Sequence, residues 1–307
     1  MGYTHWNDAA YNDRQNYRRR TGQSAFTYDR ELRESGRAEV HPQMKPWRKV
    51  RESRDSAEHP ASLAIAVIFD VTGSMGNVPR VLQTKLGNLM WLLVEKGYVR
   101  DPQILFGAVG DAHCDRAPLQ IGQFESGLEM DDDLGKIFLE GGGGGQIHES
   151  YELALYFMAQ HTVIDCLARR QRKGYLFTIG DEKPYARLSR GQVFEHIGDV
   201  LVRDAPVERV VAAVQQRYHY FHIIPTNTAH GRSADVQQRW RALLGEQVLM
   251  LDDETAVCET IALAIGLNEG VIDLDRGMDD LRRAGYDPAP SARAAAALAQ
   301  RHALVQR

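Results

Sequence analysis

Apolar residues run without alternation from Ser62 through Leu63-Ala64-Ile65-Ala66-Val67-Ile68-Phe69 and stop at Asp70. Such a run predicts a strand covered on both faces, as in a parallel sheet. From Val78 to Lys96 the period changes. Leu82, Leu86, Leu89, Met90 and Leu93 recur at helical spacing, and Gly97 closes the segment. Gln103 to Gly110 predicts a second buried strand that runs into Asp111. Leu119 to Phe124 predicts a short edge strand and Met130 to Leu139 a short helix. After the glycine run Gly141 to Gly145, a long helix is expected from Glu149 to Arg170, with Leu153, Leu155, Tyr156, Met158 and Ala159 inward. Gly174 to Gly180 is a further buried strand, ending at Asp181. Gln192 to Leu201 and Pro206 to Gln216 read as helices, and Tyr218 to Ile224 as a strand closed by Pro225. Val248 to Leu251 is a last strand and Thr255 to Leu267 a last helix of this pattern.

Strands alternating with helices predict an α/β fold: a doubly wound, mainly parallel sheet flanked by helices. Ligands of such sheets bind at the carboxyl ends of the strands, where the strand order reverses. This pattern occupies residues 61–267. Residues 1–60 have almost no apolar periodicity but carry Trp6, Tyr11, Tyr17, Phe26, Tyr28 and Trp47, and predict an extended arm whose aromatics pack onto the domain. Residues 268–307 predict an Ala-rich helical tail. Asp131, Asp132 and Asp133 open a helix, where acids favour the helix dipole.

Composition narrows the class. Of 307 residues, 43% are hydrophobic and 25% charged, the balance of a globular protein. The net charge of −4 argues against nucleic acid as partner, and the triplet Arg18-Arg19-Arg20 is too short to reverse that. No apolar run is long enough to span a bilayer and the first residues have no apolar core, so neither a membrane nor a secretory signal is expected. Cys114, Cys166 and Cys258 are an odd number, far apart, and read as reduced thiols of a cytoplasmic protein.

Chemistry gathers at the strand ends. Asp70, Thr72 and Ser74 place three hard oxygen donors in five residues, which suits Mg²⁺. The stretch Phe69-Asp70-Val71-Thr72-Gly73-Ser74-Met75-Gly76 resembles the first loop of the metal-ion-dependent adhesion site (MIDAS) of von Willebrand factor A (vWA) domains. Gly141 to Leu155 is similar to their second loop. In integrin β-subunit domains a metal-binding glutamate there precedes a helical alanine by five residues, and Glu149 and Ala154 keep that spacing; the threonine of other vWA domains is missing. Phe177-Thr178-Ile179-Gly180-Asp181 is similar to the third loop, with Gly-Asp in place of the common Asp-Gly. Phe106 to Asp111 resembles the integrin-β strand whose terminal aspartate binds a neighbouring Ca²⁺. The other ligands of that second site would fall at Gly144 and Gln146, neither an acid. The resemblance covers about Ser62 to Leu267.

It implies a Rossmann-like vWA fold in which Thr72, Ser74 and Glu149 contact the metal, Asp70 and Asp181 hold its waters, and Asp111 belongs to an adjacent site. The implied cofactor is Mg²⁺, with Mn²⁺ or Ca²⁺ as alternatives. The implied function is a protein-binding module, not an enzyme, in which a partner's Asp or Glu completes the coordination. Intracellular vWA proteins often act in multiprotein assemblies, some containing AAA+ ATPases. Electrostatics agrees: two carboxylates about 4 Å apart repel by about 4 kcal/mol at an effective dielectric of about 20, a cost that a cation removes. One alternative is a metal-dependent hydrolase or phosphatase on the same edge. Thr72 stands where such a phosphatase needs a second aspartate, Ser74 lacks a Gly-x-Ser-x-Gly elbow, and the glycine run lacks the Gly-Lys-Ser/Thr of a P-loop. Another alternative is an RNA-associated vWA protein. The bland readings are that Asp70 caps a helix, that His113, Cys114, Asp115 and His148 are loop residues, and that Tyr218, Tyr220 and His222 are packing.

Overall fold

A strand whose every residue is buried must sit inside a sheet with both faces covered, and Ser62–Asp70 does. The computed structural model describes residues 2–75, 77–141, 147–283 and 285–305; the side chains at 74, 288, 290, 291 and 300–305 fall outside that description. Six strands form the main sheet: β1 Ser62–Asp70, β2 Asp101–Val109, β3 Leu119–Ile121, β4 Gly174–Ile179, β5 Tyr218–Pro225 and β6 Val248–Leu251. Their order is β6-β5-β4-β1-β2-β3, parallel throughout except for the antiparallel β2–β3 pair. Chain order therefore runs outward from β1 in both directions, and the reversal lies between β1 and β4. Register pairs Asp70 with Val109 and Phe69 with Ile179, which brings the β1, β2 and β4 exits to one edge.

The helices are α1 Asp8–Thr21, α2 Thr27–Ser35, α3 Val78–Thr84, α4 Leu86–Met90, α5 Glu129–Gly135, α6 Tyr151–Gln160, α7 Asp165–Arg170, α8 Arg190–His196, α9 Val207–Gln215, α10 Ala234–Leu244, α11 Val257–Asn268, α12 Leu274–Arg283 and α13 Pro288–Val305. Helices flank the sheet, and among the described residues none is long and apolar enough to cross a membrane. The tail is helical as expected: Ala294, Ala297 and Leu298 of α13 are buried, and α13 packs on α11.

Three expected elements differ. The helix at 78–96 is divided at Lys85 into α3 and α4 and continues as a π-helical turn, Trp91–Glu95. A Cβ on Gly87 would lie 3.0 Å from the Tyr11 ring, so the glycine lets the arm approach the helix closely. The helix at 149–170 is two helices. Thr162–Ile164, a β-branched run, leaves the helix and pairs in parallel with Arg51–Ser53. Finally, α10 occupies a stretch for which the hydrophobic pattern predicts no element; its buried residues Val236, Trp240 and Leu244 form one narrow stripe.

The arm is helical rather than extended. Tyr11 of α1 and Phe26 are buried, while Tyr17 is exposed. What holds α1 is charge. Arg18 makes two bonds to Asp131, at 2.8 and 2.9 Å, Arg14 reaches Asp132 at 2.7 Å, and Gln83 of α3 donates to Asp131 at 2.9 Å. Asp131 is fully buried. Asp131 and Asp132 do lie in the first turn of α5, but their larger role is to clasp the arm. We predict that Arg18→Ala costs about 1–3 kcal/mol, less than the full loss of a buried pair because Arg14 and Gln83 remain, and exposes residues before Val40 to limited proteolysis. An unchanged denaturation midpoint and cleavage pattern would refute the clasp.

Candidate functional site

Loops from separate parts of the chain meet at the carboxyl edge of the sheet, and hydrogen bonds tie them together. Val71 N donates to Val109 O and Gly141 N to Val71 O, each at 3.1 Å. Ser150 N donates to Gly110 O at 3.2 Å, and its Oγ accepts from Ala112 N at 2.9 Å. The segment His148–Glu149 runs parallel to Lys183–Pro184, just after Asp181-Glu182. The edge is thus a fixed frame rather than a set of independent loops.

Into this frame the chain puts acids. Asp70 is fully buried; its Oδ1 accepts from Thr72 N at 2.7 Å and Thr72 Oγ1 at 2.6 Å. Among the described residues its Oδ2 has no partner, and neither do the buried Oε2 of Glu149, the Oε2 of Glu182, the Oε1 of Glu152 or the Tyr151 hydroxyl. Burial raises the Glu149 carboxyl far above the ordinary range, and Asp70 and Glu182 push it further. Burial also raises Asp70, against the bonds from Thr72 and with the charge of Asp181. Glu182 is pushed up to about 8, first by burial and then by Asp70 and Asp181. Glu152 reaches about 8 through burial. Tyr151 stands among these charges, its hydroxyl held well above the usual range by burial and by Asp70, Glu149, Asp181 and Glu182.

Asp181 is fully buried, and its Oδ2 accepts from His230 N at 2.9 Å. A Cβ on the preceding Gly180 would lie 1.7 Å from the Tyr151 hydroxyl, which accounts for Gly-Asp at this position. Asp111 is satisfied by protein: it accepts from Tyr185 OH at 3.0 and 3.1 Å and from His113 N at 2.9 Å. The Tyr185 ring is flanked by His113 at 4.7 Å and His148 at 5.2 Å. Ser74 lies in a 3-10 turn, Gly73–Met75, with its side chain outside the described residues, as are Gly144, Gln146 and most of the glycine run. Asp70, Thr72, Glu149 and Asp181 therefore come together, with Asp111 beside them in a turn of its own.

Pattern reading missed Tyr151, Glu152, Glu182 and Tyr185, and took Asp115 as a loop residue. Only Glu182, adjacent to Asp181, carried a local signal. Asp115 accepts from Asp111 N at 2.7 Å and shapes the turn. Cys114 is exposed, but burial of its sulfur and the charges of Asp115 and Asp111 push its thiol up to about 12, so it is a poor nucleophile. Tyr218, Tyr220 and His222 are buried and bonded to Thr162 or Thr178, consistent with packing.

Among the described residues no three His, Cys, Asp or Glu side chains form a group that could hold a metal ion. A cation at this edge would draw on mixed donors: the Thr72 hydroxyl together with single carboxylate oxygens. The unpartnered Asp70 Oδ2, Glu149 Oε2 and Glu182 Oε2 are hard acceptors of that kind, so the residues present fit a small divalent cation.

No protein-family model matches the chain, and a search of curated proteins finds no match. Among solved structures, the pilus adhesin SpaC from Lactobacillus rhamnosus GG, in its open conformation, aligns with TM-score 0.47 and 10% identity over 72% of this chain and 31% of that one. Proximal thread matrix protein 1 from the mussel byssus aligns with TM-score 0.44 and 10% identity over 67% of this chain and 46% of its own. The chain spans less than a third of the adhesin and less than half of the matrix protein. At these values neither likeness bears on the site.

Two outcomes follow from the buried acids. A carboxyl whose folded pKa is raised gives up its proton more readily in the unfolded chain. Its contribution is complete below the ordinary value of 4.5 and is lost as pH rises toward about 8, the Glu182 value. Without divalent cation, the melting temperature is expected to fall between about pH 5 and about pH 8. Glu182→Gln and Glu149→Gln should each flatten that slope; the same slope in both variants would contradict it. Gly180→Ala is expected to cost about 1–3 kcal/mol or more by overpacking against Tyr151, read as a lower denaturation midpoint; an unchanged midpoint would mean that Tyr151 moves freely.

Proposed function

We propose that this chain is a Mg²⁺-dependent protein-binding module with a MIDAS-like site of the vWA kind. The observation that carries the proposal is the set of buried, unpartnered oxygens on Asp70, Glu149 and Glu182 at the point where the strand order reverses. Thr72, Ser74 and Glu149 would hold the cation directly, with Asp70 and Asp181 behind them. Thr72 Oγ1 gives its proton to Asp70 Oδ1, which supports that division. Asp70 thereby orients a neutral ligand while lending it negative charge. Bound there, Mg²⁺ supplies a Lewis-acidic position that a partner's Asp or Glu carboxylate can complete.

An acid-bearing protein partner suits a site whose direct donors are largely neutral, because the cation then keeps some positive charge. We place such a partner in a multiprotein assembly, of which AAA+ ATPase complexes are one class. The reduced cysteines fit a cytoplasmic setting. A phosphatase built on Asp70 lacks the second aspartate of its motif, since Thr72 stands there and is bonded to Asp70.

At a Mg²⁺ concentration about a hundredfold above Kd, stability should rise by about 2.7 kcal/mol, seen as a higher melting temperature. Asp70→Asn, which keeps the shape of the side chain, should abolish the rise. Affinity capture from the native source should then retain an acid-bearing partner with Mg²⁺ and lose it with EDTA. No thermal response to Mg²⁺ or Mn²⁺ would sink the metal site. A response without any EDTA-sensitive partner would sink the binding function, and phosphatase activity lost in the Asp70 variant would replace it with the enzyme.

A further inference from the structure

A second surface lies at the end of α6 remote from Glu149. There Tyr156, Ala159, Leu188, Leu201, Val210 and Ala213 line an apolar recess of about 220 Å³. It is bounded by α6, α9 and the loop that follows α8. Along α6 the helical rise from Tyr151 to Ala159 is about 12 Å, so the recess is distinct from the acidic edge.

Two valines beside the recess stand in water, Val200 at 84% and Val202 at 91% exposure. The loop that presents them is anchored. Asp199 Oδ2 accepts from Tyr156 OH and pairs with His161 Nε2, each at 2.7 Å. Arg190 donates from Nη1 to Val202 O at 3.3 Å and from its backbone N to Asp204 Oδ1 at 3.0 Å. The fold thus holds apolar side chains outward at a fixed place, next to a hollow that they do not fill.

The rim is basic. Arg187, Arg190, Arg203 and Arg209 are all exposed around it. Arg187 and Arg190 bond to the carbonyls of Asp204 and Val202. Among the described residues no carboxylate pairs with any of the four guanidiniums. The acids nearby are engaged elsewhere: Asp199 with Tyr156 and His161, and Glu208 with Arg239 at 3.0 Å. The lining of the hollow itself includes Arg203 and Arg209 and no acid.

We propose that the recess docks a short acidic, amphipathic segment of a partner protein. One or two Leu, Ile or Phe side chains of that segment enter the hollow and cover Val200 and Val202. Flanking Asp or Glu carboxylates pair with Arg203 and Arg209, whose guanidiniums offer forked donors for them. A recess requires a side chain that enters it, which a peptide offers and a bilayer surface does not. The surface is independent of the metal-dependent reading, and EDTA leaves it unchanged.

The test uses the whole chain in EDTA. Random dodecapeptides displayed on phage are panned on the wild type and counter-selected on an Arg203→Glu, Arg209→Glu double variant, whose altered positions are exposed and whose melting temperature is checked against the wild type. The recovered sequences should interleave Asp or Glu with Leu, Ile or Phe. A synthetic copy should bind the wild type in fluorescence polarisation and weaken by roughly tenfold or more in the double variant and in Val202→Asp. Recovery of no peptide, sequences without acidic enrichment, or equal binding to the variants would overturn the proposal. Flotation of the wild type but not the double variant with phosphatidylserine vesicles would overturn it in favour of a membrane. Self-association in sedimentation, lost in Val202→Asp, would overturn it in favour of a second copy of the chain.

Discussion

Carboxylates withdrawn from water without enough donors are the constraint on which this structure turns. Asp70, Glu149 and Glu182 each keep an oxygen in the interior that no neighbour among the described residues bonds. An isolated buried charge of this kind is costly, and a protein answers it with a proton or a counter-charge. Here the cost is created by the topology itself. The acids come from distant parts of the chain and meet only because β1 and β4 are neighbours in the sheet. They cannot spread apart, because the loops that carry them are bonded to one another and Gly180 is pressed against Tyr151.

The rest of the molecule stiffens that arrangement. Thr72 satisfies one oxygen of Asp70 and leaves the other unfilled. Tyr185 and His113 satisfy Asp111, whereas among the described residues Glu149 Oε2 has no partner, so the two acids stand differently at one edge. Behind the first loop, Gln83 of α3 bonds Asp131. Gln83 thereby ties the arm's anchor to the helix that follows the first loop.

Much of the sheet was legible because its signals are local. Unbroken apolar runs marked β1 and β2, and an acid at each exit marked the binding edge. The helices of the arm were not legible. They rest on Tyr11 and Phe26 reaching the core and on Arg14 and Arg18 reaching α5, contacts that no local period records. The break after Gln160 had a signal, the β-branched Thr162-Val163-Ile164, but a continuous helical pattern outweighed it. Within the site, Asp70, Thr72, Glu149 and Asp181 were visible as loop residues. Tyr151 and Glu152 were hidden because in sequence they look like the first turn of an ordinary helix, and only the fold turns them toward the acids.

The clasp on Asp131 also sets an order of events during synthesis. Arg18 and Asp131 are 113 residues apart, so α1 leaves the ribosome long before its anchor exists. The central strand pairs first with β2, complete by Val109, and meets β4 only after Gly174 has followed. Adding β4 beside β1 thus closes a long loop, which slows completion of the sheet. Through that interval Tyr11 and Phe26 have no core to enter and are open to chaperones.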